Sequence, residues 1–397
     1  MAQNSTQTME TPPVEAASGG ISRLFFIDHL RAALIILVVL HHAAMVYGAA
    51  GPFYYVEPPF AYPLTYLVLL MFALFNQAWF MGALFLLAGY FTPGSFERKG
   101  SGSFLKSRLV RLGIPLIIWI FVLSPISSIG YWQMPVELTG ITNPLSWQAY
   151  PFLLGLGVAW FLVLLLIFNF GYAAWRSLTK NRKSSSTSES SSPSYLGIGI
   201  FILALALVTY LVRIIIPIGK EVLDFPTLGY LPQYLSLFIV GTVAYRRNWF
   251  RTTPGSMGVV GFVTVLVATV LLFPFALSGN LFSLEVPEIW VFLGGGTFQS
   301  GVYALWDSIF VVGMCLAAIT FFRRFFNQES GFGSFLSQQS YAVYVIHVPI
   351  IVFIAVALKG IELGAWLKFG LLAVIAVPTC FVLAYLIRKI PGMSRVL

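Results

Sequence analysis

The sequence has 397 residues, 58% of them hydrophobic and 9% charged, with a mean hydropathy of +0.86; an average soluble domain carries about 25% charged residues. That balance excludes a soluble globular protein. It implies an all-α, polytopic membrane protein, because backbone in hydrocarbon must be hydrogen-bonded within its own segment.

Residues 1–20 are polar and lack the basic stretch of a cleavable signal peptide, so they read as a disordered tail. Ten apolar windows follow, each long enough to cross about 30 Å of hydrocarbon as a helix. They run over 24–48, 64–91, 112–130, 152–175, 195–216, 230–246, 256–277, 301–322, 340–358 and 364–387. The connecting segments that share one side of the membrane hold Arg23; Arg98, Lys99, Lys106, Arg108 and Arg111; Arg176, Lys180, Arg182 and Lys183; Arg246, Arg247 and Arg251; Arg323 and Arg324; and Arg388, Lys389 and Arg395. Only Lys220, Lys359 and Lys368 fall on the other side, and Arg31 and Arg213 lie within helices. This bias predicts both termini in the cytoplasm and a multi-pass cell-membrane protein. It also accounts for the net charge of +9, so the basicity is no argument for nucleic acid.

The first helix carries Asp28, Arg31 and His42 in an otherwise apolar stretch. Eleven steps at about 100° per residue return to within about 20° of the start, so Arg31 and His42 share a face, with Asp28 offset from His42 by about 40°. Ionisable groups on one stripe of a membrane helix are functional-site candidates. The second helix places Asn76 and Gln77 near mid-membrane, where amides also serve as glue between helices. The cytoplasmic loop after it ends Lys106-Ser107-Arg108-Leu109-Val110-Arg111 at an expected helix start. Two guanidinia three positions apart there can grip a diphosphate, with Lys106 beside them, although plain topological anchoring accounts for them too.

Between the fourth and fifth helices, the Ser-rich run 180–194 reads as a flexible cytoplasmic loop within one membrane domain, 21–390, that is followed by a tail over 391–397. Asp307 enters the eighth helix near its outer end, where a carboxylate needs a partner. In the ninth helix, Ser340, Tyr344 and His347 fall on one stripe, as a lined substrate cavity would require, while Tyr341 points elsewhere. Cys315 and Cys380 read as buried free thiols, and no metal-ligand spacing is present. The abundant aromatics read mostly as lipid-facing and interfacial packing.

Together, Arg31 with ten residues before His42, the Arg108-Leu109-Val110-Arg111 pair before Gly113-Ile114-Pro115, and the late run from Ser340 to His347 resemble the acyltransferase 3 family of membrane acyltransferases. Leu86-Leu87-Ala88-Gly89-Tyr90-Phe91 and Ala159-Trp160-Phe161-Leu162 are most similar to its glucan-modifying branch, the glucan succinyltransferases. The resemblance spans about residues 23–390. It implies transfer of an acyl group from cytoplasmic acyl-CoA, the donor substrate, to a hydroxyl of an extracytoplasmic carbohydrate, with no permanently bound cofactor. Arg31 and His42 match the family's first-helix pair, and Arg108 and Arg111 its arginine pair. The family's later-helix carboxylate, often glutamate, finds its nearest counterpart in Asp307, and Trp160 joins the substrate cavity.

The residue types suit that chemistry independently. An imidazole with an ordinary pKa near 6.5 is largely neutral at physiological pH. It can take the proton of an attacking hydroxyl, with Arg31 and Asp28 positioning it, or accept the acyl group itself. The rival reading is a secondary transporter lined by the same stripes; transporters often carry inverted repeats, and the sequence shows none.

Overall fold

The computed structural model describes residues 24–48, 53–57, 63–179, 192–226, 228–278 and 291–397. The expected tail 1–20 and most of the Ser-rich run 180–194 lie outside the described residues. So do parts of the outer loops, Glu285 and Glu288 among them. Among the described residues the structure is helical, with a single isolated bridge between Val222 and Phe225 and no strand.

The helices are α1 Phe25–Tyr47, α2 Pro63–Gln77, α3 Phe80–Lys99, α4 Ser101–Gln133, α5 Trp160–Leu178 and α6 Tyr195–Ile215. They continue with α7 Leu231–Arg246, α8 Gly255–Ala276, α9 Phe298–Phe325, α10 Gly331–Ala357, α11 Ala365–Lys389 and the short α12 Met393–Val396. Among the described residues, nine helical segments are long and apolar enough to cross a membrane. The tenth expected span is α7, whose 16 residues reach only about 24 Å.

Helix α1 is central and touches α2, α3, α9, α10 and α11. The most apolar windows of α1, α9 and α10 are 61%, 61% and 67% buried, against 22% in α6. The polar stripes of α1 and α10 therefore face the bundle, not lipid. Aromatics contribute to this interior more than their abundance alone suggests: Trp119, Trp306, Tyr230, Tyr234 and Tyr303 are fully buried. Helices α3 and α7 approach closely at glycines, since a Cβ at Gly89 would strike the Phe238 carbonyl and one at Gly241 the Leu86 carbonyl.

Three features depart from the sequence expectations. The expected span 64–91 breaks at Ala78-Trp79, and the second half continues to Lys99. The break is stabilised from α7, where Gln233 Nε2 donates to the freed Ala78 carbonyl at 2.6 Å. The expected loop before residue 112 is helical apart from Gly100, because α4 begins at Ser101.

Helix α4 widens into π turns at Leu109–Gly113 and Trp119–Leu123. Its prolines explain how it stays intact. Pro115 and Pro125 have no N–H for the carbonyls four residues earlier, Arg111 and Phe121. Tyr341 of α10 donates to the first, and Tyr150 donates to the second at 2.7 Å. The third departure is the expected tail 391–397. Helix α12 packs on the Leu109–Gly113 turn, Leu397 is buried, and Arg388 Nε donates to the Leu397 carbonyl at 3.3 Å.

Candidate active site

Helices α1 and α10 run side by side and parallel, and two polar contacts fix their register. Near their starts, Arg31 Nη2 donates to Ser337 Oγ at 2.7 Å and to the Ser337 carbonyl at 3.3 Å. Further along both, His347 Nε2 lies 3.1 Å from His42 Nδ1. Eleven residues separate the contacts on α1 and ten on α10, about 16 and 15 Å of helix, so the stripes match step for step.

The hydrogen bonds assign the ring protons. His347 Nδ1 is 2.7 Å from the Tyr344 carbonyl, which only accepts, so in the neutral ring Nδ1 carries the proton and Nε2 the lone pair. His42 Nδ1 is 2.9 Å from the Val38 carbonyl and carries its proton for the same reason. That N–H is shared between Val38 and His347, which leaves the lone pair of His42 on Nε2. The His42 side chain is partly exposed while His347 is fully buried. Phe53 stacks over the His42 ring at 5.4 Å, and Tyr344, whose hydroxyl donates to the Val158 carbonyl, packs at 5.4 Å on Phe161. Neighbouring His41 packs on Phe80 at 5.1 Å and meets the His42 ring edge-on at 5.4 Å.

Arg31 and Asp28 form an ion pair at 3.0 Å. Arg31 lies about 16 Å from His42 along α1, and Asp28 further still. What Arg31 holds is α10, through Ser337. Ser340 belongs to the stripe, but its hydroxyl donates to the Leu336 carbonyl at 2.8 Å and so is spent within its own helix. Asn76 donates to the Leu37 carbonyl at 3.2 Å and Gln77 to the Tyr234 hydroxyl at 3.1 Å. Both amides thus tie helices together, and Trp160 stacks on Tyr234 at 5.3 Å in an aromatic cluster.

Asp307 stands apart from the two histidines, in a buried ion pair. Its Oδ2 accepts from Arg213 Nη2 at 2.6 Å, with both side chains essentially fully buried. Arg213 also donates to the Gly229 carbonyl at 3.1 Å and sits over the Tyr230 ring. The partner that a carboxylate at this depth needs lies 94 residues away on α6, and none of its described contacts reaches His42 or His347.

The arginine pair is divided as well. Arg108 turns inward over the Phe104 ring at 5.0 Å, whereas Arg111 and Lys106 line an open cavity of about 520 Å³. The π turn starting at Leu109 is one residue wider than an α turn, so residues three apart no longer share a face. Through its backbone, Arg111 also meets α10 at Tyr341, only six residues or about 9 Å of helix before His347.

Ser337 escaped the sequence reading although it extends the Ser340, Tyr344, His347 stripe by one turn. Arg213 was visible as an arginine within a helix but without its partner, and Phe53 carried no local signal.

The family model described as an acyltransferase domain matches residues 24–385. No curated protein and no solved structure matches the chain. With nearly all of its length inside that match, the chain belongs to the acyltransferase 3 family and is a multi-pass membrane acyltransferase that transfers groups other than amino-acyl groups.

Proposed function

We propose that this enzyme moves an acetyl or succinyl group from cytoplasmic acyl-CoA to a hydroxyl of an extracytoplasmic carbohydrate, of the glucan type, across the cell membrane. The observation that carries this reading is His42, partly exposed, with Nδ1–H held by Val38 and His347 and Nε2 left as the base. The acceptor hydroxyl gives its proton to Nε2 while its oxygen attacks the thioester carbonyl. The tetrahedral adduct then collapses, the C–S bond breaks, and the proton passes from Nε2 to the departing CoA thiolate. The imidazolium formed on the way keeps two acceptors on its Nδ1–H.

The basic cavity at Lys106 and Arg111 suits the phosphates of the donor. Tyr341, whose hydroxyl meets the Arg111 carbonyl beside that cavity, stands only six residues, about 9 Å of helix, before His347 on α10. A transporter would use the same stripes without His42 as a base, and family membership favours the enzyme. Mass spectrometry of envelope glycans from cells that carry the gene should show an added acyl mass. Cells carrying His42→Ala at equal protein level should lose it, and persistence of the mass in that variant would refute the assignment.

A further inference from the structure

The cavity at Arg111 gathers four cations from three stretches of chain. Lys99 ends α3, Lys106 and Arg111 belong to α4, and Arg395 comes from α12. Ser107 and Ser394 add hydroxyls, Lys99 Nζ donating to Ser107 Oγ at 2.7 Å, and among the described residues no carboxylate lines the cavity. Topology requires cations on this side of the membrane but does not require them to converge. Convergence without a counter-charge is unfavourable until an anion fills the space. The volume of about 520 Å³ falls in the range of about 300–1,000 Å³ typical for whole small molecules and exceeds what a single phosphate group needs.

Arg395 reaches this place because α12 is docked, with Leu397 buried and its carbonyl held by Arg388. A guanidinium fits a phosphate monoester bidentately and keeps its charge at any working pH. We infer that Arg395 binds a second phosphate of the donor, separate from the diphosphate: the ribose 3′-phosphate of a nucleoside 3′-phosphate 5′-diphosphate. This rests on the reading of acyl-CoA as the donor. Lys106 and Arg111 take the diphosphate, and α12 reads whether the extra phosphate is present.

The test uses the full-length protein in phosphatidylcholine nanodiscs, titrated calorimetrically with CoA and with 3′-dephospho-CoA. Arg395→Gln should weaken CoA about tenfold, the equivalent of one charged hydrogen bond, and leave dephospho-CoA unchanged. Arg395→Lys, which keeps the charge, should retain part of the preference. Equal weakening of both ligands, or of neither, overturns the inference while CoA binding by the wild type leaves the donor reading standing. Failure of the wild type to bind either ligand overturns both. Nanodiscs containing anionic phosphatidylglycerol separate the other source of phosphate. A CoA preference that survives there supports the nucleotide, and one that disappears assigns the site to lipid headgroups and overturns the inference.

Discussion

His347 Nε2 lies 3.1 Å from His42 Nδ1, although the two residues are 305 positions apart. The contact gives His347 a task that needs no encounter with substrate. In the proposed mechanism it accepts from Nδ1–H, fixes the tautomer of His42, and helps disperse the charge when Nε2 takes a proton. His347→Ala should therefore lower kcat about 10²-fold with little change in KM for either substrate, whereas His42→Ala should remove turnover. Thiol release from acyl-CoA by purified variants measures both. A rise in KM at constant kcat for His347→Ala would make it a binding residue instead.

Asp307 should behave as a structural residue. Removing one member of a buried pair leaves the other charge uncompensated, at a cost of about 3–5 kcal/mol. Thermal melting of detergent-purified Asp307→Ala should show that loss, and Arg213→Met with Asp307→Leu should recover most of it. The surviving folded protein should turn over at near wild-type rate. A fully stable but inactive Asp307→Ala would return the carboxylate to catalysis.

Tyr341 and Pro115 form a testable couple. The Arg111 carbonyl has no N–H four residues on, because Pro115 stands there, and Tyr341 donates to it. Tyr341→Phe should destabilise the protein by about 0.5–1.5 kcal/mol by removing that hydrogen bond. Adding Pro115→Ala, which restores the backbone N–H, should return much of the loss. Melting temperatures of the two single variants and the double variant form the thermodynamic cycle, and simple additivity would refute the coupling.

How far the sequence could go is visible in these residues. Hydropathy places the spans because length and apolarity are local properties, and it even finds α7, which is short. Helical periodicity puts Arg31 with His42, and Ser340 with Tyr344 and His347, because each stripe lies within one helix. It cannot see which stripes meet. The His42–His347, Arg31–Ser337 and Arg213–Asp307 contacts join residues far apart in the chain, and so the partner of Asp307 escaped notice. Local geometry misled in one place: the spacing of Arg108 and Arg111 implies a shared face only in a regular α-helix, and the chain forms a π turn over Leu109–Gly113.

The division of the arginine pair yields the sharpest contrast between two residues of one motif. Arg111 is exposed and lines the cavity, and Arg108 is turned inward with its Nε buried without a hydrogen-bond partner among the described residues. Arg111→Ala should weaken CoA binding about tenfold, as loss of a charged contact to phosphate requires, and should leave the melting temperature nearly unchanged. Arg108→Ala removes a guanidinium packed over Phe104, for which roughly 0.5–2 kcal/mol of cation–π contact would be lost. Its effect should therefore appear first in the melting temperature, with CoA affinity altered less than in Arg111→Ala. Calorimetry of CoA binding together with melting of the two variants decides the matter. Equal affinity losses with equal stability would mean that both guanidinia reach the donor, as their spacing in a regular helix implies, and that Arg108 swings out of its packed position when CoA binds.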